Sequence, residues 1–78
     1  MKNFYGANKE LKDHLKNLGL TFHSREEVRL SYFTDPLTNK QIKVDEKSSM
    51  ISLLNKQGYE EKYSSCFTEK EINNFLAE

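Results

Sequence analysis

Few side chains in this chain could do chemistry. His14, His23 and Cys66 are the only soft metal ligands or strong nucleophile–base candidates, and none is separated from another by the roughly two to five residues typical of paired zinc ligands. Nucleophilic catalysis by Cys66 would need a histidine within hydrogen-bond reach and a third group to orient it. The spacing sets up neither. His14 lies on a leucine stripe and reads as a partly buried packing residue, and Cys66 beside Phe67 reads as a small core residue. The acidic pairs Glu26-Glu27 and Glu60-Glu61 are sequence neighbours. Neighbours on a strand point to opposite faces, so neither pair makes an acid–base dyad. The three glycines are far apart, so no phosphate-cradling loop is expected. These residues predict a protein that is not an enzyme, with no catalytic residue, no metal and no cofactor.

Binding is the remaining chemistry. Arg29, Lys40 and Lys43, with Arg25 nearby, lie on or beside a strongly alternating stretch that also carries Phe33, and a basic, aromatic β-ribbon of that kind could meet a phosphate backbone. Against this, twelve basic and twelve acidic side chains cancel, which disfavours affinity dominated by phosphate contacts. Tyr5, Phe33 and Tyr63 could instead anchor a protein partner, since aromatic residues are enriched at interface cores. The candidate binding residues are therefore Arg29, Phe33, Lys40, Lys43 and Tyr63.

Length and composition narrow the setting. Seventy-eight residues allow one domain, 1–78, with one thin core. Five Phe and four Tyr argue against intrinsic disorder. One cysteine precludes an internal disulfide framework and fits a reducing cytoplasm. No stretch is apolar enough for a membrane span or a signal peptide, so the expected localisation is cytoplasmic and no membrane partner is expected. Lys greatly outnumbers Arg and Asn is abundant, a bias that suggests an AT-rich bacterial or phage genome.

The elements that must position these side chains follow from periodicity and capping. Asn8 can cap a helix over 8–18 in which Leu11, Leu15 and Leu18 recur on one face, and Gly19 suits its left-handed end. Thr21 to Glu27 reads as a connector, with Phe22 as a lid over the core. A central hairpin over 27–45 follows, because Val28, Leu30 and Tyr32 alternate with polar residues, as do Ile42 and Val44. Asp35, Pro36 and Asn39 supply its turn. Val28, Leu30, Tyr32, Ile42 and Val44 are the expected core face, which leaves Phe33 on the mixed face.

Residues 45–59 support two readings. As a helix over 48–57, Ser48 caps it, Met50, Ile51, Leu53 and Leu54 form its apolar side, and Gly58 ends it. As a second hairpin, Asn55-Lys56-Gln57-Gly58 is a turn joining Met50–Leu54 to Tyr59–Ser65. The adjacent Leu53 and Leu54 break strand alternation, so the helix is the reading adopted. A strand near 59–65 and a helix over 68–77 complete the chain. Thr68 and Glu71 form a capping box for that helix, and Phe67 and Ile72 a hydrophobic staple. The fold class is α+β, a small antiparallel sheet packed by helices.

Tyr32-Phe33-Thr34-Asp35-Pro36-Leu37-Thr38-Asn39-Lys40, together with Phe67-Thr68-Glu69-Lys70-Glu71 and the helix it opens, resembles the arm-type DNA-binding domains of phage and transposon integrases. The resemblance covers less than a third of the chain. Those domains usually carry Gly where this chain has Asn39, more basic residues after the turn, and no segment like 45–58 between strands. The resemblance implies a DNA-binding module that uses the hairpin. The reading preferred here is a small interaction protein, encoded by a bacterium, a phage or another mobile element, that regulates or inhibits a larger macromolecule by binding it. A protein partner ranks first, nucleic acid second, and self-association stays open.

Overall fold

A computed structural model describes residues 2–6 and 8–78, the side chain of Glu26 excepted. Local capping and turn chemistry place its elements. Asn8 accepts a hydrogen bond from the Glu10 amide at 2.6 Å and opens helix α1, Lys9–Asn17. At its other end the Leu20 amide reaches back to the Leu15 carbonyl across Gly19, whose φ of 88° is the left-handed geometry expected there. Thr68 accepts from the Glu71 amide at 3.1 Å and opens helix α2, Glu69–Ala77, with Phe67 and Ile72 both buried.

Among the described residues, the strands form two antiparallel sheets. Strands β1 (Asn3–Tyr5) and β7 (Cys66–Thr68) pair so that Phe4 lies opposite Phe67. The larger sheet is a meander of five in sequence order: β2 (Thr21–Arg25), β3 (Leu30–Thr34), β4 (Gln41–Asp45), β5 (Met50–Leu54) and β6 (Glu60–Ser64). A 3-10 turn, Glu26–Val28, joins β2 to β3. One face of this sheet supplies Phe33, Ile42, Val44, Ile51 and Leu53 to the core, where they meet Leu11, Leu15, Phe4, Phe67, Ile72 and Phe75 from the helices and the small sheet. Helices and small sheet all lie on that one side.

Three expectations are corrected. The segment 48–57 is not a helix: Met50–Leu54 is strand β5, paired to β4 and β6. Ile51 to Leu54 are all buried, and a strand covered on both faces loses the alternation that distinguishes it from a buried helix. The flanking turns decide the matter. Asp45 Oδ1 accepts from the amides of Lys47 and Ser48, and Asn55 Oδ1 accepts from those of Gln57 and Tyr59. Gly58, at φ 86°, belongs to this second turn and ends no helix.

Second, 21–25 is not a connector but the outer strand β2, with Phe22 opposite Phe33. Third, Val28, Leu30, Tyr32, Ile42 and Val44 do not form one core face of the hairpin. Its turn closes with the Asp35 amide on the Lys40 carbonyl at 2.9 Å and Asn39 at φ 64°. That register puts Phe33 opposite Ile42 and Ser31 opposite Val44. Residues paired across an antiparallel ladder share a face, so Phe33 and Ser31 point inward with Ile42 and Val44, while Leu30 and Tyr32 point outward. Phe33 is accordingly 0% exposed, and Val28, in the 3-10 turn before β3, is 49% exposed.

Gly6 packs the end of the N-terminal strand against the links that flank the large sheet, Ser49 before β5 and Ser65 after β6. Its amide donates to the Ser65 carbonyl at 2.8 Å. A Cβ on Gly6 would sit 2.4 Å from the Ser49 carbonyl oxygen, and its φ of 46° is left-handed. Both facts require glycine there.

Candidate interaction face

Among the described residues, no helix lies on the second face of the large sheet. The pairings align one residue from each strand into a transverse row, His23–Tyr32–Lys43–Ser52–Tyr63. At interstrand spacings of roughly 4.8 Å, Tyr32 and Tyr63 stand about 14 Å apart with Lys43 between them. A parallel row holds Arg25, Leu30, Asp45 and Met50, and a third holds Thr21, Thr34, Gln41, Leu54 and Glu60.

The face has a buried centre and a more exposed rim. Ser52 is buried and donates to a Glu60 carboxylate oxygen at 2.8 Å. That bond spans the position where the β5–β6 register shifts, between Leu53 and Leu54, so the bulge and the carboxylate close over the strand's middle. Around it Tyr32, Lys43, Leu30 and Met50 are half-buried, His23 and Arg25 are exposed, and Tyr63 is 56% exposed. The charges balance, Arg25 and Lys43 against Asp45 and Glu60. Partial desolvation pushes the Asp45 carboxyl up, but hydrogen bonds from Ser48 and the Lys47 amide, with the nearby charge of Lys43, outweigh it and hold the group below its ordinary value.

The five residues singled out from sequence separate. Lys43 and Tyr63 come together on the open face, two strands apart. Arg29 stays outside the rows, exposed at the foot of β3 in a left-handed conformation at φ 52°, with its carbonyl accepting from the Glu46 amide. Phe33 is inside the core and stacks on Phe22 at 5.0 Å. Lys40 is also turned the other way: its ammonium donates to the carbonyl oxygens of Phe75 at 2.7 Å and Glu78 at 2.8 Å and lies over the Phe75 ring. It neutralises the carbonyl end of α2.

Arg25 joins Lys43 on this face, in keeping with its place beside the hairpin in the sequence, whereas Tyr32, His23 and Met50 are members that the sequence does not single out for binding. Each alternates correctly within its own strand, but membership of a common row depends on four successive registers, which no single strand encodes.

The residues considered for chemistry lie on separate elements. His14 on α1 stacks on Phe4 at 5.1 Å and reaches Asn73 Oδ1 at 3.2 Å. His23 is on β2, and Cys66 is half-buried in β7. Among the described residues no three His, Cys, Asp or Glu side chains are grouped to hold a metal ion, and no helix is long and apolar enough to cross a membrane. No family model matches this chain, and no curated protein or solved structure matches it.

Proposed function

We propose that this is a non-enzymatic interaction module of bacterial or phage origin that regulates or inhibits a larger protein by docking it on the open face of the five-stranded sheet. One observation carries the reading: the row that sets Tyr32 and Tyr63 on either side of Lys43, on a face that no helix of the described residues covers. Aromatic rings, a methionine and an arginine around a balanced set of charges match the makeup of protein interfaces. The complementary partner surface carries apolar pockets for the two tyrosines and a carboxylate for Lys43.

Nucleic acid is the rival occupant, because bases stack on sheet aromatics. The two differ in salt response. Phosphate-driven binding loses about one log–log unit per neutralised phosphate as salt rises, whereas a tyrosine-anchored protein contact tolerates moderate salt. The test is affinity capture from bacterial lysate, with and without nuclease treatment, by the wild-type chain and by Tyr63→Ala and Lys43→Glu variants. A nuclease-resistant protein retained by wild type and weakened at least tenfold by Tyr63→Ala, the loss of a roughly 1.4 kcal/mol anchor, supports the reading. Recovery of nuclease-sensitive nucleic acid alone refutes it.

A further inference from the structure

The two outer strands of the large sheet are not equivalent. Strand β6 carries Glu60, Glu61 and Lys62 and a register irregularity where it meets β5. Charges and bulges of this kind discourage a further strand from pairing there. Strand β2, Thr-Phe-His-Ser-Arg, has no proline, lysine or bulge, and all five of its residues are exposed. It is a regular, unprotected edge.

The hydrogen-bond phase of the sheet identifies which main-chain groups that edge offers. The Asp35 amide bonds to the Lys40 carbonyl, and the Glu46 amide bonds to the Arg29 carbonyl. In an antiparallel ladder bonded pairs alternate, so Phe33 and Ser31 direct their main chain to β4, and Leu30, Tyr32 and Thr34 direct theirs to β2. Their partners Arg25, His23 and Thr21 are thereby consumed. The N–H and C=O groups of Phe22 and Ser24 point outward, and no loop or turn hydrogen bond of the described residues uses them.

We infer that this edge pairs with the same edge of a second copy, antiparallel about a two-fold axis at His23, to give a continuous ten-stranded sheet. The spacing is self-complementary. Phe22 of one copy and Ser24 of the other exchange both main-chain bonds, and the axis repeats the exchange, as an isologous interface requires. The strand ends also fit. Lys16 sits 4.7 Å over the Phe22 ring at one end, and the exposed Glu27 lies just beyond the other. The antiparallel arrangement brings each Lys16 end beside the copy's Glu27 end. Phe22, 42% exposed despite stacking on Phe33, gains cover from its symmetry mate, its diagonal neighbour on that face. Self-pairing uses the main-chain groups of Phe22 and Ser24, whereas docking uses the side chains around Tyr32, Lys43 and Tyr63, so each has its own test.

The test is sedimentation equilibrium of the purified full chain in the analytical ultracentrifuge across a wide concentration series. A dimer is expected, with its dissociation constant raised at least about tenfold by Ser24→Pro, which removes an outward N–H without touching the β2–β3 bonds. A monomer throughout, or a dimer indifferent to Ser24→Pro in a folded variant, overturns the inference. Cysteine pairing reads the register without disrupting the strand. In a Cys66→Ser background treated with oxidised glutathione, His23→Cys should cross-link to its copy, because unbonded antiparallel partners bring Cα atoms to about 4.5 Å. Thr21→Cys should not, since four residues of offset separate those two positions by about 13 Å. Cross-linking at Thr21, or none at His23, also overturns it.

Discussion

Replacing Phe33 by alanine tests the register on which both faces of the sheet depend. The side chain is 0% exposed, stacks on Phe22 at 5.0 Å and lies opposite Ile42. Removing a buried Phe typically costs about 3–5 kcal/mol through lost transfer energy and the cavity left behind. A domain of 78 residues has roughly 4–12 kcal/mol of stability in total, at about 0.05–0.15 kcal/mol per residue. The variant should therefore be near the edge of folding. At about 4–8 °C per kcal/mol, its Tm should fall by more than 10 °C, roughly, if a transition survives at all. Val28→Ala is the internal control: at 49% exposure it should stay within about 0.5 kcal/mol of wild type. Urea unfolding followed by far-UV circular dichroism measures both. Wild-type stability in Phe33→Ala, or a larger loss in Val28→Ala, would refute the register and with it the assignment of faces.

Other perturbations follow from the same geometry. Gly6→Ala should lower thermal stability by about 1–3 kcal/mol, because it combines a left-handed backbone with contact against the Ser49 carbonyl. The carboxyl of Asp45 is held below its ordinary 3.8 in the folded chain, so its contribution is complete above that value and is lost as pH falls through the lower folded one. Asp45→Asn should thus shrink the acid limb of a stability–pH curve while lowering stability at neutral pH. Lys40→Met should destabilise by about 1 kcal/mol and speed amide exchange in the last turn of α2, whose carbonyls it leaves unpartnered.

What was legible in the sequence was local. Asn8, Gly19, Thr68 and the Asp35–Asn39 turn each act within a few residues of themselves, and each does in the structure what its type implies. The readings that failed concern burial from outside the segment. Leu53 next to Leu54 looked helical because a strand covered on both sides shows no alternation, and here Glu60 and the bulge supply the second cover. Leu30 and Tyr32 looked like the inward residues of β3 because they alternate as well as Ser31 and Phe33 do. The bonded pair at Asp35 and Lys40 decides between the two sets, and it does so through turn geometry that the strand residues do not carry. The same dependence hides the candidate site: nothing in the sequence links Lys43 to Tyr63, and only the register puts them on one face with Tyr32 and His23.

We propose a protein partner for the uncovered sheet face. A photo-crosslinking residue placed at Tyr63, and in a second variant at Asn74 on the exposed side of α2, tests it in nuclease-treated bacterial lysate. A discrete protein adduct is expected from position 63, competed by unlabelled wild-type chain and weakened by Tyr32→Ala, with none from position 74. Adducts from position 74 alone, or an adduct at 63 that Tyr32→Ala leaves unchanged, would contradict it.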